Sequence, residues 1–160
     1  MFKLISKTIA AVAIVSVALF GSAHAKTLKI ETHFTASSPN GEVAAQFAKN
    51  VEKFSGGSLK VQMFYSSSVT GKSAEVFNSA QTGIIDCDMT GAGYQTGKNA
   101  AFQFAGDVMG GYDNPYQQYE FLNFPGAQEA VDALYNKYGM TLIGWWIPGH
   151  ESLISSRPIP

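Results

Sequence analysis

The feature that most constrains the fold is a regular alternation of strand-like and helix-like segments between residues 28 and 89. Residues 28–33 and 59–65 alternate apolar and polar side chains, as expected for a strand with one buried face. Residues 43–54 lie between them and carry apolar side chains at helical spacing. A helix over 73–81 and a strand over 84–89 continue the order. The sequence therefore predicts an α/β fold with a mainly parallel sheet flanked by helices.

Local signals predict where these and later elements begin and end. Asn40 is the expected N-cap of the first helix and Ser73 that of the second. Asn114-Pro115 predicts a further helix start, because proline is favoured at the first helical position. A last helix is expected to end at Gly139. Residues 140–146 are uniformly apolar, which predicts a fourth strand buried on both faces.

The amino terminus has the three parts of a secretory signal peptide. Lys3 and Lys7 form a positive region, residues 9–20 form an apolar run, and Ala23-His24-Ala25 is a small-residue cleavage site. The apolar run of about a dozen residues is shorter than the ~20 that span a bilayer. We therefore expect residues 1–25 to be cleaved during export. Residues 26–160, a chain of 135 residues, would then form one domain in the periplasm.

Composition narrows the classes of function. Without Lys3 and Lys7 the chain has nine basic and twelve acidic residues, a net charge of about −3, and no basic cluster suited to nucleic acid. Cys87 is the only cysteine, so no internal disulfide can form. Its neighbours Ile85 and Met89 favour a small buried apolar residue over a nucleophile. No residues have the spacing of a zinc site, and no metal is predicted.

Motifs for catalysis and for nucleotide binding are weak. No G-x-S-x-G motif occurs, and His150-Glu151 is the only acid–base pair we identify. Adjacent residues of a strand point to opposite faces, which argues against that pair. Gly91, Gly93 and Gly97 follow a strand but have the spacing G-x-G-x-x-x-G, and no helical pattern follows them. This spacing does not fit a dinucleotide site, so no cofactor is predicted.

Polar and aromatic side chains follow the predicted strands, where an open α/β sheet binds its ligands. If the sheet is parallel, these sets share one edge. They suit a small polar solute better than a macromolecule. The sets are Phe34, Thr35, Ser37 and Ser38 after the first strand, Tyr94, Gln95 and Thr96 after the third, and Trp145, Trp146 and Glu151 after the fourth.

The order of several motifs resembles the DctP family of solute receptors, which serve tripartite ATP-independent periplasmic (TRAP) transporters. The segment 93–102, Gly-Tyr-Gln-Thr-Gly-Lys-Asn-Ala-Ala-Phe, is similar to the loop of the branch that binds 2-oxo and hydroxy acids. Gly144-Trp145-Trp146, Glu151-Ser152-Leu153 and Arg157-Pro158-Ile159 resemble the fourth strand and its exit toward a second lobe. Members of that branch often carry two adjacent aromatic residues where this chain has Tyr94-Gln95, which leaves the substrate subclass open.

The resemblance implies a two-lobed receptor that closes on a small organic acid and delivers it to membrane permease subunits. It also implies that the second lobe lies beyond residue 160, with residues 152–160 starting the crossover. The family's carboxylate-clamping arginine has no match here, and Arg157 does not inherit that role. We expect Phe34, Tyr94 and Trp146 to line the cleft, with Ser37 and Glu151 as polar candidates. A secreted α/β enzyme using His150 and Glu151, or the binding lobe of an ATP-driven importer, remains the alternative.

Overall fold

The structure is a computed structural model that describes residues 25–106, 108, 110–145, 147 and 155–158. The first half of the chain forms a βαβαβ unit, and the second half adds two short 3₁₀ helices and two α-helices. The elements are β1 (Lys26–Thr32), α1 (Pro39–Phe54), β2 (Leu59–Phe64), a 3₁₀ turn (Ser73–Glu75), α2 (Val76–Gln81), β3 (Cys87–Met89), 3₁₀ helices at Ala92–Gln95 and Ala100–Ala105, α3 (Pro115–Asn123) and α4 (Ala127–Asn136).

The three strands form one parallel sheet in the order β2-β1-β3. Ile30 of β1 lies opposite Met63 of β2 and Cys87 of β3. The predicted α/β fold with a parallel sheet and flanking helices is confirmed. The prediction that β1 buries one face is wrong at its carboxyl end, where consecutive Ile30, Glu31 and Thr32 are all buried. This strand has a neighbour on each side, and both of its faces are covered there.

The N-cap of helix α1 lies two residues before the predicted one. Ser38 is the N-cap, and its Oγ accepts a hydrogen bond from the Gly41 backbone N–H at 3.1 Å. Asn40 is therefore not the cap. Proline has no N–H to lose and a φ already suited to a helix, so Pro39 occupies the first turn and places the cap before it. The helix ends at Phe54, and Gly56 and Gly57, which follow it, both have positive φ.

The second helix and the third strand both start later than predicted. Ser73 begins a 3₁₀ turn and does not cap α2; its hydroxyl lies 3.4 Å from that of Ser67. Ile84 is 55% exposed, and β3 starts only at Cys87. The Asp86 carboxylate accepts a hydrogen bond from the Lys29 backbone N–H at 2.8 Å. In a regular β-ladder, a backbone carbonyl of the neighbouring strand would accept that N–H. This side-chain bond explains why the β1–β3 pairing begins one residue further on.

An aromatic core lies where the two halves of the chain meet. Phe77 of α2 packs edge to face on Phe102 with ring centroids 5.9 Å apart, and Leu134 of α4 completes the buried cluster. Phe102 lies in the short 3₁₀ helix at Ala100–Ala105. The predicted start at Asn114-Pro115 is confirmed, because Asn114 Oδ1 caps α3 by accepting the Gln117 N–H at 3.1 Å.

The predicted fourth strand is wrong over its described residues, 140–145, which belong to no strand. Leu142 donates its backbone N–H to Asp132 of α4 at 2.9 Å, and Ile143 is 72% exposed. A strand needs a neighbour for its backbone groups, and the described sheet ends at β3. An apolar run alone does not supply that neighbour. Among the helices that the structure describes, none is both long and apolar enough to cross a membrane.

Candidate functional site

The carboxyl ends of the three parallel strands bring three loops to one edge of the sheet. Strand β1 leads into residues 33–38, β2 into residues 65–71, and β3 into residues 90–95. The first and third loops contain the described residues for which a ligand role was predicted, except Thr96, which directly follows the third loop, and Trp145. Open α/β sheets bind small ligands at this edge, so these loops form the candidate site.

Three aromatic rings from two of these loops form one cluster, which we call the aromatic wall: His33, Phe34 and Tyr94. The His33 ring lies 3.9 Å from the Phe34 ring and 5.3 Å from the Tyr94 ring, centroid to centroid. Tyr94 meets His33 edge to face, at an interplanar angle of 74°. The structure therefore brings two predicted site residues together through a histidine that sequence reasoning had assigned no ligand role. The only signal for His33 was its place next to Phe34 at a strand end.

The 3₁₀ helix at Ala92–Gln95 presents Tyr94 outward while its neighbours hold the turn in place. Tyr94 is 46% exposed, whereas Ala92 and Gln95 are buried. Gln95 Nε2 donates to the Ala74 carbonyl at 3.4 Å, and Thr96 Oγ1 donates to the Gly93 carbonyl at 3.1 Å. Gln95 is thus an anchor of the loop, and its expected place on the binding surface is corrected.

The loop that carries Phe34 and Ser37 is pressed against the start of α1. A Cβ added to Gly41 would lie 2.0 Å from the Thr35 carbonyl oxygen, so only glycine allows this approach. Ser38 donates its hydroxyl to the same carbonyl at 2.8 Å while capping the helix. Ser37 is exposed, and Phe34 is half-buried. The hydroxyl of Ser37 therefore remains at the surface of the loop, next to the cap residue.

The loop after β2 is bonded to the end of β1. Ser66 donates its backbone N–H to the Phe34 carbonyl at 2.9 Å, and Ser67 donates to the Thr32 carbonyl at 3.1 Å. Ser66 and Ser67 have φ values of 57° and 50°, a region that non-glycine residues rarely adopt. Strained backbone of this kind is concentrated at functional sites and persists where surrounding bonds hold it. Here those bonds fix the backbone beneath Phe34.

Glu31 lies below this cluster and is fully buried, at 0% exposure. Its Oε1 accepts the backbone N–H of Val69 at 2.6 Å and that of Thr70 at 3.4 Å. Its Oε2 is also buried and has no hydrogen-bond partner among the described residues. Sequence reasoning missed this residue, because strand alternation placed it with Lys29 on the polar face.

Asp88 lies opposite Glu31 on β3. Burial raises the pKa of Asp88 from 3.8 to about 6; hydrogen bonds from the Thr90 hydroxyl and N–H lower it, and the charge of Glu31 raises it. The Thr90 hydroxyl donates to Asp88 Oδ1 at 2.6 Å. On α4, the pKa of Tyr135 is raised to about 12, mainly by burial and to a smaller extent by the charge of Asp88. Two carboxyl groups thus lie on neighbouring strands, close under the loops of the site.

The remaining predicted residues contribute less or lie outside the described chain. Trp146 and Glu151 are outside it, as is His150 of the alternative acid–base pair. Trp145 is half-buried. Burial, together with the charges of Asp86 and Asp88, raises the pKa of the half-buried Cys87 thiol, which agrees with its interpretation as a packing residue. Within the described residues, no three His, Cys, Asp or Glu side chains are grouped to hold a metal ion.

A parallel α/β sheet with aromatic and polar loops at its carboxyl edge is the arrangement of a domain that binds small ligands. The family model for the bacterial extracellular solute-binding proteins of family 7, DctP, matches residues 30–160, so the chain belongs to that family. The family expected from the sequence motifs is confirmed. A search among curated proteins gives no match.

Several solved structures share the fold. A TRAP periplasmic solute binding protein from Rhodobacter sphaeroides, in an apo open state, is 25% identical with a TM-score of 0.68, over 74% of this chain and 37% of that one. Another from Pseudoalteromonas atlantica T6c, with bound sodium and pyruvate, is 20% identical with a TM-score of 0.65, over 72% of this chain and 35% of that one. DctP6 from Bordetella pertussis, an extracytoplasmic solute receptor binding pyroglutamic acid, is 21% identical with a TM-score of 0.61, over 74% and 38%. The matched region is thus little more than a third of each of these structures.

Proposed function

We propose that this chain supplies the first lobe of a periplasmic solute receptor that captures a small organic acid for a TRAP-type transporter. The observation that carries the proposal is the aromatic wall at the carboxyl edge of a parallel sheet, in a chain of the DctP family. Phe34 and Tyr94 were selected from the sequence as ligand residues and meet at one cluster. No catalytic role is assigned to the chain.

The chemistry of the wall suits one side of a small carboxylic acid. Aromatic rings provide contact area, and the half-exposed Tyr94 can offer its hydroxyl as a hydrogen-bond donor. Ser37 adds a second hydroxyl on the neighbouring loop. Trp146 and Glu151 remain part of the proposed site. The class of ligand is a 2-oxo acid, a hydroxy acid or a dicarboxylate, and the related receptors with pyruvate and pyroglutamic acid support this class.

The resemblance to the DctP family implies that an arginine neutralises the charge of a bound carboxylate, and the aromatic wall contains no arginine. We assign that role to an arginine of a second lobe, beyond residue 160, reached through a crossover that starts at residues 152–160. Closure of two lobes on a ligand is a hinge motion. In this proposal residues 1–25 are a cleaved signal, the receptor acts in the periplasm, and its partners are membrane permease subunits.

The test is a titration of ¹⁵N-labelled residues 26–160 with pyruvate, 2-oxobutyrate, lactate, pyroglutamate and succinate, monitored by NMR. At least one acid should shift the amide signals of His33, Phe34 and Tyr94, with a dissociation constant near 1 mM, which corresponds to about −4 kcal/mol. Binding is expected to be weak because one lobe holds only part of the site. Micromolar binding would contradict the second-lobe assignment, and no shift at the wall with any acid would contradict the wall itself.

A pair of variants separates a site effect from a general effect of losing a tyrosine. Tyr94→Ala should abolish the ligand-induced shifts at His33 and Phe34. Tyr116→Ala removes an exposed tyrosine on α3 and should leave them unchanged. Equal losses in the two variants would show that the shifts do not report contact at the wall.

A further inference from the structure

Glu31 Oε2 is a buried acceptor that the described hydrogen bonds do not explain. The whole side chain is inaccessible to solvent, and the two N–H donors it receives both reach Oε1. An unpaired buried oxygen of a carboxylate is costly, because burial removes the water that would otherwise bind it. Such an atom in a native structure requires a specific explanation, such as a bound ion or a proton.

Asp88 is the side chain placed to provide that explanation. Glu31 and Asp88 are register partners in neighbouring parallel strands, and side chains at matched positions point to the same face. Adjacent strands lie about 4.8 Å apart. The Glu31 charge is close enough to raise the pKa of Asp88. Asp88 Oδ1 accepts the Thr90 hydroxyl at 2.6 Å, and the Thr90 backbone N–H also donates to this carboxyl group.

We propose that Glu31 and Asp88 bind one proton between them, forming a carboxyl–carboxylate site that joins β1 to β3. The shared proton gives Glu31 Oε2 its missing partner and reduces the buried charge from two to one. Two carboxylates held at one buried position do not both ionise readily, and one then keeps its proton to a higher pH. The proposal concerns the strands themselves and does not depend on which solute the chain binds.

Among the described residues, the groups packed against the pair form no salt bridge with it. Strand β2 places Phe64 opposite Glu31, and the following loop contributes only the N–H groups of Val69 and Thr70. Helix α4 contributes Tyr135, whose pKa lies well above neutrality. Four titratable residues lie within two positions of the pair along the chain. Lys29 and His33 flank Glu31, and Asp86 and Cys87 precede Asp88. Neither carboxylate forms a salt bridge with a described residue; the one such bridge joins Lys60 to Glu52.

The position of the pair gives the proton a structural consequence. Strand β1 continues from Glu31 into Phe34, and β3 continues from Asp88 into the turn that presents Tyr94. When the proton leaves, the negative charges of Glu31 and Asp88 repel each other across the pairing of β1 with β3. The pair is then a pH-dependent link beneath the aromatic wall. The raised pKa of Asp88 agrees with a proton that is held toward neutral pH.

The experiment is a pH titration of the full chain, with the side-chain carboxyl signals of Glu31 and Asp88 followed by ¹³C NMR. Both signals should respond in the same two steps, because coupled groups titrate as a pair. Glu31→Gln should move the Asp88 midpoint down by about 1 pH unit, since the repelling charge is gone. Glu42→Gln, which removes an exposed acid on α1, should leave that midpoint unchanged.

Three results would overturn the proposal. Independent single-step titrations of the two carboxyl groups in the unaltered chain would show that they share nothing, and this test needs no variant to fold. An Asp88 midpoint that Glu31→Gln leaves in place would show the same. A midpoint that falls when sodium chloride replaces choline chloride would indicate a bound sodium ion in place of the proton.

Discussion

Replacing Asp88 by asparagine should make the protein more stable at neutral pH and should remove a specific part of its pH dependence. Asparagine keeps the oxygen that accepts the Thr90 hydroxyl and has nearly the same size as aspartate. It also brings an N–H donor to the position that faces Glu31, whose Oε2 is otherwise without a partner among the described residues. The substitution therefore removes a buried charge while keeping the known contact.

The size of the effect follows from the pKa of Asp88, which is about 6 in the fold against an ordinary value of 3.8. Between these two pKa values the folded chain holds a proton that the unfolded chain releases. The free energy of unfolding therefore decreases as pH rises from about 4 to 6. One pKa unit corresponds to about 1.4 kcal/mol, and the window thus corresponds to about 3 kcal/mol. This loss is complete above pH ~6 and absent below pH ~4. The Asp88→Asn variant should not show this loss of stability, because asparagine does not titrate in this pH range.

The assay is urea unfolding followed by circular dichroism at several pH values between about 4 and 7. The difference between the variant and the unaltered chain should be near zero at the acid end and should grow to about 3 kcal/mol at pH ~7. The lowered pKa values of Glu52 and Glu129 act in both proteins and cancel in this difference. Glu42→Gln serves as the control and should run parallel to the unaltered chain. Parallel profiles for Asp88→Asn would refute the assignment of a raised pKa to this group.

Three further predictions concern residues that shape the loops and the strand edge. Gly41→Ala should lower the unfolding free energy by about 1–3 kcal/mol, because the added Cβ would overlap the Thr35 carbonyl. The control in the same urea assay is Gly93→Ala, because a Cβ at Gly93 meets nothing within 4 Å. Ser38→Ala should lower it by about 1 kcal/mol through loss of the cap, and equal effects from exposed Ser37→Ala would count against this. Cys87 should react with iodoacetamide more slowly than free cysteine at pH ~8, because burial raises its pKa, and faster alkylation would contradict that environment.

Much of the βαβαβ unit could be predicted because its apolar periods change from two to 3.6 and back, with glycines between them. The fourth strand could not, since an apolar run specifies burial but not a pairing partner, and residues 140–145 have none in the described sheet. The start of α1 was misplaced for a local reason: Asn40 is a good cap in isolation, but Pro39 fixes the backbone one position earlier.

The site was predictable only as far as the strand ends were. Phe34 and Tyr94 could be chosen because each follows a predicted strand, and a parallel sheet brings those ends together. The outward Tyr94 and the inward Gln95 could not be told apart, because a 3₁₀ turn decides their directions. Glu31 escaped notice because period-two alternation places a glutamate between isoleucine and threonine on the solvent side. Its burial depends on the loop after β2, which bonds to it from 38 residues away.

Strand β1 is the first of the described strands along the sequence and the middle strand of their sheet. A chain that emerges amino terminus first therefore exposes its central strand before either neighbour exists. The partner residues begin at Leu59 on one side and at Cys87 on the other, and both pairings must close a long loop. Parallel pairing of this kind is slow, because the chain loses the entropy of loop closure before the contacts between strands stabilise it. The order of strands thus delays folding until most of the βαβαβ unit has been made.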